Sequence, residues 1–98
     1  MSDAPIALGN EVTIAQAAAL RETLLAALAK APRELRLDLA DVADFDSAGV
    51  QLLLATRQSL AQAGARLQVV AASATVRRSL ELFGLEALLE DGAAAGAR

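Results

Sequence analysis

Asp44-Phe45-Asp46-Ser47-Ala48-Gly49-Val50-Gln51-Leu52-Leu53-Leu54 is the stretch on which the fold turns. Two carboxylates flank a phenylalanine, a serine follows, and an apolar run with helical spacing begins. A hydroxyl placed there has two readings. It can cap the helix by accepting a backbone N–H, or it can accept a phosphoryl group on an exposed recognition surface. The absence of Glu or Gln at the third position after Ser47, where Val50 stands, removes a capping box.

Projected at 100° per residue, Gly49, Leu53, Thr56 and Leu60 share one helix face. Leu52 and Ala63 flank it on one side and Val50 on the other, while Gln51, Gln58 and Gln62 lie opposite. Leu54 falls next in angle to Ser47. Ser47, Val50, Gln51 and Leu54 then form a mixed patch at the edge of the buried stripe, unless Val50 and Leu54 simply widen that stripe.

Upstream, Glu34 to Leu39 alternates strictly: Leu35, Leu37 and Leu39 point one way, Glu34, Arg36 and Asp38 the other. This predicts a strand with one core face and one partly wet face, unlike a parallel strand covered on both sides. Ala15 to Lys30 reads as a helix on Leu20, Leu24 and Leu28, supported by Ala17 and Ala27 and ended by Pro32. Ile6 with Leu8 and Val12 with Ile14 flank Gly9-Asn10, a hairpin signal. Val42 and Phe45 are expected to anchor the approach to the central stretch.

Downstream, Gly64 ends the central helix and Arg66 to Ala71 resumes strand character, so a helix joins two strands in a βαβ crossover. Ser73 caps a last helix on which Val76, Leu80 and Phe83 recur, and Gly84 closes it with Leu85 folding back. Leu85 to Leu89 either adds a helical turn or covers a sheet edge. Residues 91–98 are Ala/Gly-rich and expected to fray, which leaves about 5–90 of the single domain 1–98 ordered. No internal repeat is present.

Composition narrows the chemistry. The 98 residues hold one domain, and 55% hydrophobic residues with only two phenylalanines make an aliphatic core. The net charge of −3 offers no basic field to a nucleic acid. With no Cys and no His, thiolate nucleophiles, disulfides and the commonest metal ligands are absent. Neither an n-region and apolar h-region nor an apolar run near the roughly 20 residues of a membrane span is present, so a cytoplasmic protein is expected. Asp38, Asp44 and Asp46 as a metal or acid/base cluster, Arg77-Arg78 as a phosphate contact, and a lipid-binding role for the aliphatic content are the weaker alternatives. Solvated turns, a solvated helix face and core packing account for them.

Leu37-Asp38-Leu39, Val42, Phe45-Asp46-Ser47-Ala48-Gly49-Val50, the Gly64 helix end, Leu67-Gln68-Val69 and Phe83-Gly84-Leu85 together resemble the STAS domain, found in bacterial anti-sigma-factor antagonists and in sulfate transporters. The likeness runs from about Ile6 to Leu89. It implies an α/β fold: a mixed four- to five-stranded sheet with about four helices packed against it, and a regulatory protein without enzymatic activity, metal or cofactor.

In antagonist members the serine after the motif aspartate is phosphorylated, which carries over to Ser47 as phosphoacceptor. Asp46, Ser47, Ala48, Gly49, Val50, Gln51 and Leu54 become the expected surface for a serine kinase or anti-sigma partner. Ala48 stands where a second serine is frequent. The likeness also extends to the STAS subunit of a bacterial phospholipid-trafficking ABC transporter, whose partner is an ATPase, and to chemotaxis-associated STAS proteins.

Overall fold

The computed structural model describes residues 4–89, so the expected frayed end at 91–98 lies outside the described residues. Among the described residues five strands and three α-helices follow in the order β1 (Ile6–Ala7), β2 (Glu11–Val12), α1 (Ala17–Leu28), β3 (Glu34–Leu39), β4 (Asp44–Phe45), α2 (Ser47–Gln62), β5 (Arg66–Ala72) and α3 (Ala74–Leu82), with a 3-10 turn at Glu86–Leu88. The α/β class and single domain are as expected. Among the described residues there are three α-helices against the expected four or so, and the last turn is 3-10.

The sheet departs from expectation in two ways. All described pairings are parallel, whereas a mixed sheet was expected: β3 lies between β1 and β5, and β2 pairs with β4 as a separate two-stranded ladder. The predicted hairpin is absent, because β1 and β2 never pair with each other. Gly9-Asn10 is instead a transfer between ladders: Leu8 N–H donates to the Asp38 carbonyl, and the Asn10 carbonyl accepts from Ala43 and Asp44. Turn chemistry reports a local bend and says nothing about which strand lies alongside.

The alternation in β3 survives its parallel setting. Leu35, Leu37 and Leu39 are buried while Arg36 and Asp38 are half-buried, because helices cover one face more than the other. With Leu67 and Val69 of β5 they form the floor of one aliphatic core. Leu24 of α1, Leu53 and Leu60 of α2, and Val76 and Leu80 of α3 close it from above. A bulge at Val70, where Leu37 pairs with Val69 but Asp38 with Ala71, carries β5 on to Ala72.

Helix ends follow the chemistry of the caps. Gly64 has φ +76°; its N–H donates to the Ala61 carbonyl and that of Ala65 to the Leu60 carbonyl at 2.8 Å, a Schellman closure. The same pattern recurs at Gly84 and Leu85. Ser73 accepts from Val76 N–H at 3.2 Å, and its hydroxyl donates to the Val42 carbonyl at 2.6 Å, tying α3 to the loop before β4. Phe83 was expected on the buried face but is 56% exposed. The helix ends at Leu82, so Phe83 is the C-cap and the 3.6-residue period no longer positions it. Leu88 is buried, and Leu89 pairs with Val69, so this segment both turns and covers the β5 edge. No helix among the described residues is long and apolar enough to cross a membrane.

Candidate functional site

Asp46 is the first residue of the site. It leaves β4 in an extended conformation, φ −120° and ψ −171°, and its backbone N–H donates to the Val12 carbonyl. One carboxylate oxygen, Oδ1, accepts from the N–H groups of Ala48 at 2.9 Å and Gly49 at 3.2 Å; the other, Oδ2, accepts from Ile14 N–H at 3.1 Å. A single side chain therefore takes two N–H groups of the first turn of α2 and clamps the segment before α1 against it.

The expected cap thus shifts by one residue. Asp46 is the N-cap and Ser47 is the first helical residue, its side chain exposed and its hydroxyl without a hydrogen bond among the described residues. Ionisation of Asp46 supports the arrangement. The Ile14 N–H holds the carboxyl below its ordinary value of 3.8; desolvation pushes the other way, and the Gly49 and Ala48 N–H groups add to the lowering.

A carboxyl depressed in the folded state stabilises fully above its unfolded value, and that contribution is lost as pH falls through the folded value. Asp46→Asn is therefore expected to melt below wild type at neutral pH, with the gap closing as pH drops below 3.8. Thermal melts of both proteins across that range check it; a gap independent of pH counts against the clamp.

The other expected contact residues separate into two layers. Gln51 is exposed, Ala48 and Leu54 are half-buried, and Gly49 and Val50 are buried, Val50 at 4% exposure. Gly49 and Val50 therefore lie beneath the surface of the isolated chain, under Ser47, Ala48 and Gln51. The reading in which Val50 widens the core stripe is the one that holds. Gly49 sits against the β2–β4 ladder so closely that a Cβ there would stand 2.6 Å from the Val12 carbonyl oxygen and 2.8 Å from the Phe45 ring.

The remaining acids and the basic pair do not join the site. Asp38 Oδ1 accepts from Ala40 N–H at 2.9 Å in its own turn, and Asp44 is exposed. Among the described residues no three metal-ligand side chains gather. Arg77 is half-buried and Arg78 exposed on α3.

One feature of the site escaped the sequence reading. An apolar groove of ≈ 610 Å³ runs between α1 and α2, with Ile14, Ala18, Arg21 and Leu25 on one wall and Ser47, Ala48 and Gln51 on the other. Leu54 does not line it. Leu25 standing off the Leu20/Leu24/Leu28 stripe was the available signal, though a single exposed leucine is ordinary.

Comparison with known proteins agrees with this arrangement. A family model described as "Mlab, STAS domain" matches residues 2–90. The anti-sigma-F factor antagonist RsfB of Mycobacterium tuberculosis, in strains CDC 1551 / Oshkosh and ATCC 25618 / H37Rv, is 34% identical over 83 residues, which is 85% of this chain and 67% of theirs. Together, the family-model match and the relatives at 34% identity establish that the chain belongs to the STAS domain family.

Proposed function

We propose that this protein is a non-enzymatic regulatory module of the anti-sigma-factor-antagonist type. It captures a protein partner, a serine kinase or anti-sigma factor, over the start of α2 and is released by phosphorylation of Ser47. The observation that carries the reading is the Ser47 hydroxyl, exposed and without a hydrogen bond among the described residues, because Asp46 makes the cap. Similarity to the anti-sigma-F factor antagonist RsfB supports the kind of partner.

The physics of the switch follows from the cap. A phosphoryl group adds about −1.5 to −2 charges at neutral pH. Asp46 already occupies the Ala48 and Gly49 N–H groups, so the new charge finds little of the helix start unused and projects toward solvent. A partner seated over Ser47 and Gln51 must desolvate that charge beside an existing carboxylate. The fold itself is barely touched.

Ser47→Asp is expected to weaken capture of the cognate anti-sigma factor or kinase about tenfold or more, with stability changed by no more than about 0.5 kcal/mol, the usual range for an exposed substitution. Unaltered affinity in calorimetry sinks the switch. Ser47→Ala abolishes phosphate incorporation by the kinase. Label that persists in this variant moves the acceptor to Ser59, exposed on the same groove, rather than to Thr56, which is buried and donates to the Leu52 carbonyl.

The match to a family model described as "Mlab, STAS domain" supports a second reading. The same surface would bind constitutively, as the STAS subunit of a phospholipid-trafficking ABC transporter or as a chemotaxis-associated protein. Capture of an ABC ATPase unaffected by Ser47→Asp selects it.

A further inference from the structure

The groove between α1 and α2 reaches well beyond Ser47, and two of the large apolar side chains that this fold leaves in water stand on its α1 side, Ile14 at 77% and Leu25 at 43% exposure. Arg21 is the one charged residue among those that line it. Its helical neighbours three and four positions away are Ala17, Ala18, Leu24 and Leu25, none of them acidic, and it makes no ion pair among the described residues. This exposed cation, set in an otherwise apolar wall, is complementary to a carboxylate on a partner. We infer that the groove is the seat of an acidic amphipathic helix of the partner, with apolar residues between α1 and α2 and a carboxylate on Arg21.

Shape supports a helix over the other occupants. The twelve residues of α1 span about 18 Å, the length of a partner helix of similar size. Ala18 and Ala55 on facing walls allow the close approach that a third helix needs, with axes about 8–10 Å apart. The groove is open along its length, so a single acyl chain would stay half wet, whereas small-molecule sites bury roughly 70–90% of their ligand.

The inference rests on reading the chain as a protein-binding module, and it gives the Ser47 switch a sign. Unmodified, the groove carries the Arg21 cation and attracts an acidic helix. A phosphoryl group on Ser47, in the same lining, adds about −1.5 to −2 charges and opposes that attraction.

The test uses the intact, 15N-labelled 98-residue chain and a synthetic 14-residue helical peptide with leucines at i, i+4, i+7 and i+11 and glutamates between them. The expected result is amide shifts at Ala18, Arg21, Leu25, Gln51 and Ala55. Affinity falls about tenfold in Arg21→Glu and returns when the peptide carries lysines in place of glutamates. Arg21 is exposed, so the variant should keep the wild-type melting temperature.

Shifts elsewhere, or indifference to Arg21→Glu, overturn the inference. So does displacement of the peptide by dodecanoate at lower concentration, which would make the groove an amphiphile site. Self-association of the unliganded chain that Arg21→Glu removes also overturns it, since the occupant would then be a second copy. Groove shifts that Ser47→Asp leaves unchanged uphold the helix site and sink the phosphate switch. Absence of groove shifts, with Ser47-dependent capture of the partner intact, sinks only the helix site.

Discussion

Gly49→Val should leave too little of the folded protein to give a normal cooperative transition, and Gly49→Ala should lower stability by about 1–2 kcal/mol. Replacing glycine by alanine inside a helix ordinarily gains up to about 1 kcal/mol from backbone entropy and propensity. Here the added carbon would stand 2.6 Å from the Val12 carbonyl oxygen and 2.8 Å from the Phe45 ring. The oxygen belongs to the backbone of the short β2–β4 ladder and cannot step aside as a flexible side chain would. Overpacking of a close-packed site costs typically 1–3 kcal/mol for a methylene or so, which exceeds the propensity gain. Valine brings two more methyl groups to the same place, and a domain of this class has only about 5–15 kcal/mol in total. Urea titration of both variants checks the order. A stabilised Gly49→Ala would mean that α2 can lift off the ladder cheaply, and that the start of the site is softer than its hydrogen bonds indicate.

Leu53→Ala is the second large effect. Leu53 is fully buried in α2, one turn beyond Gly49, and packs into the single aliphatic core with Leu37, Leu39 and Leu60. Truncations of this kind cost about 2–5 kcal/mol, depending on how far the surroundings collapse. For a domain of this size each kcal/mol shifts the melting temperature by about 4–8 °C. Leu54→Ala, one residue on and only half-buried, is the control and should cost distinctly less. Calorimetric melts of the pair separate the buried stripe of α2 from its surface; equal losses would contradict the packing described here.

The sequence made much of the scaffold legible and left the site half read. Strict alternation identified Glu34–Leu39, and the 3.6-residue spacing of Leu53, Thr56 and Leu60 identified the buried face of α2. Gly64 and Gly84 marked helix ends because both sit in the left-handed region, where other residues are strained. The hairpin failed for a different reason. Strands of two residues are held by partners some thirty positions away, and a local dipeptide carries no information about them. Asp and Ser cap about equally well, so residue type alone leaves the cap uncertain by one position. Only the backbone decides, by keeping Asp46 extended and making Ser47 helical. That single step changes the chemistry of the site, since a capping hydroxyl is occupied and an exposed one is available. The groove stayed hidden because its two walls come from helices that the sequence separates by eighteen residues.

The all-parallel pairing also governs how the chain reaches this fold. Ile6 meets Leu37 and Leu35 meets Leu67, so each rung of the main sheet closes a loop of about thirty residues, and no described ladder forms between neighbours in sequence. Loop-closure entropy must be met before any strand contact repays it. With no hairpin among the described residues to start from, folding is expected to begin in the helices, with the strands assembling late and slowly for a chain of this length. Because β3 is the central strand, a nascent chain can pair it with β1 early, but the core closes only after β5 has emerged. Until then the leucines of β3 and α2 lack their final cover, and that interval is when this aliphatic protein is most exposed to aggregation.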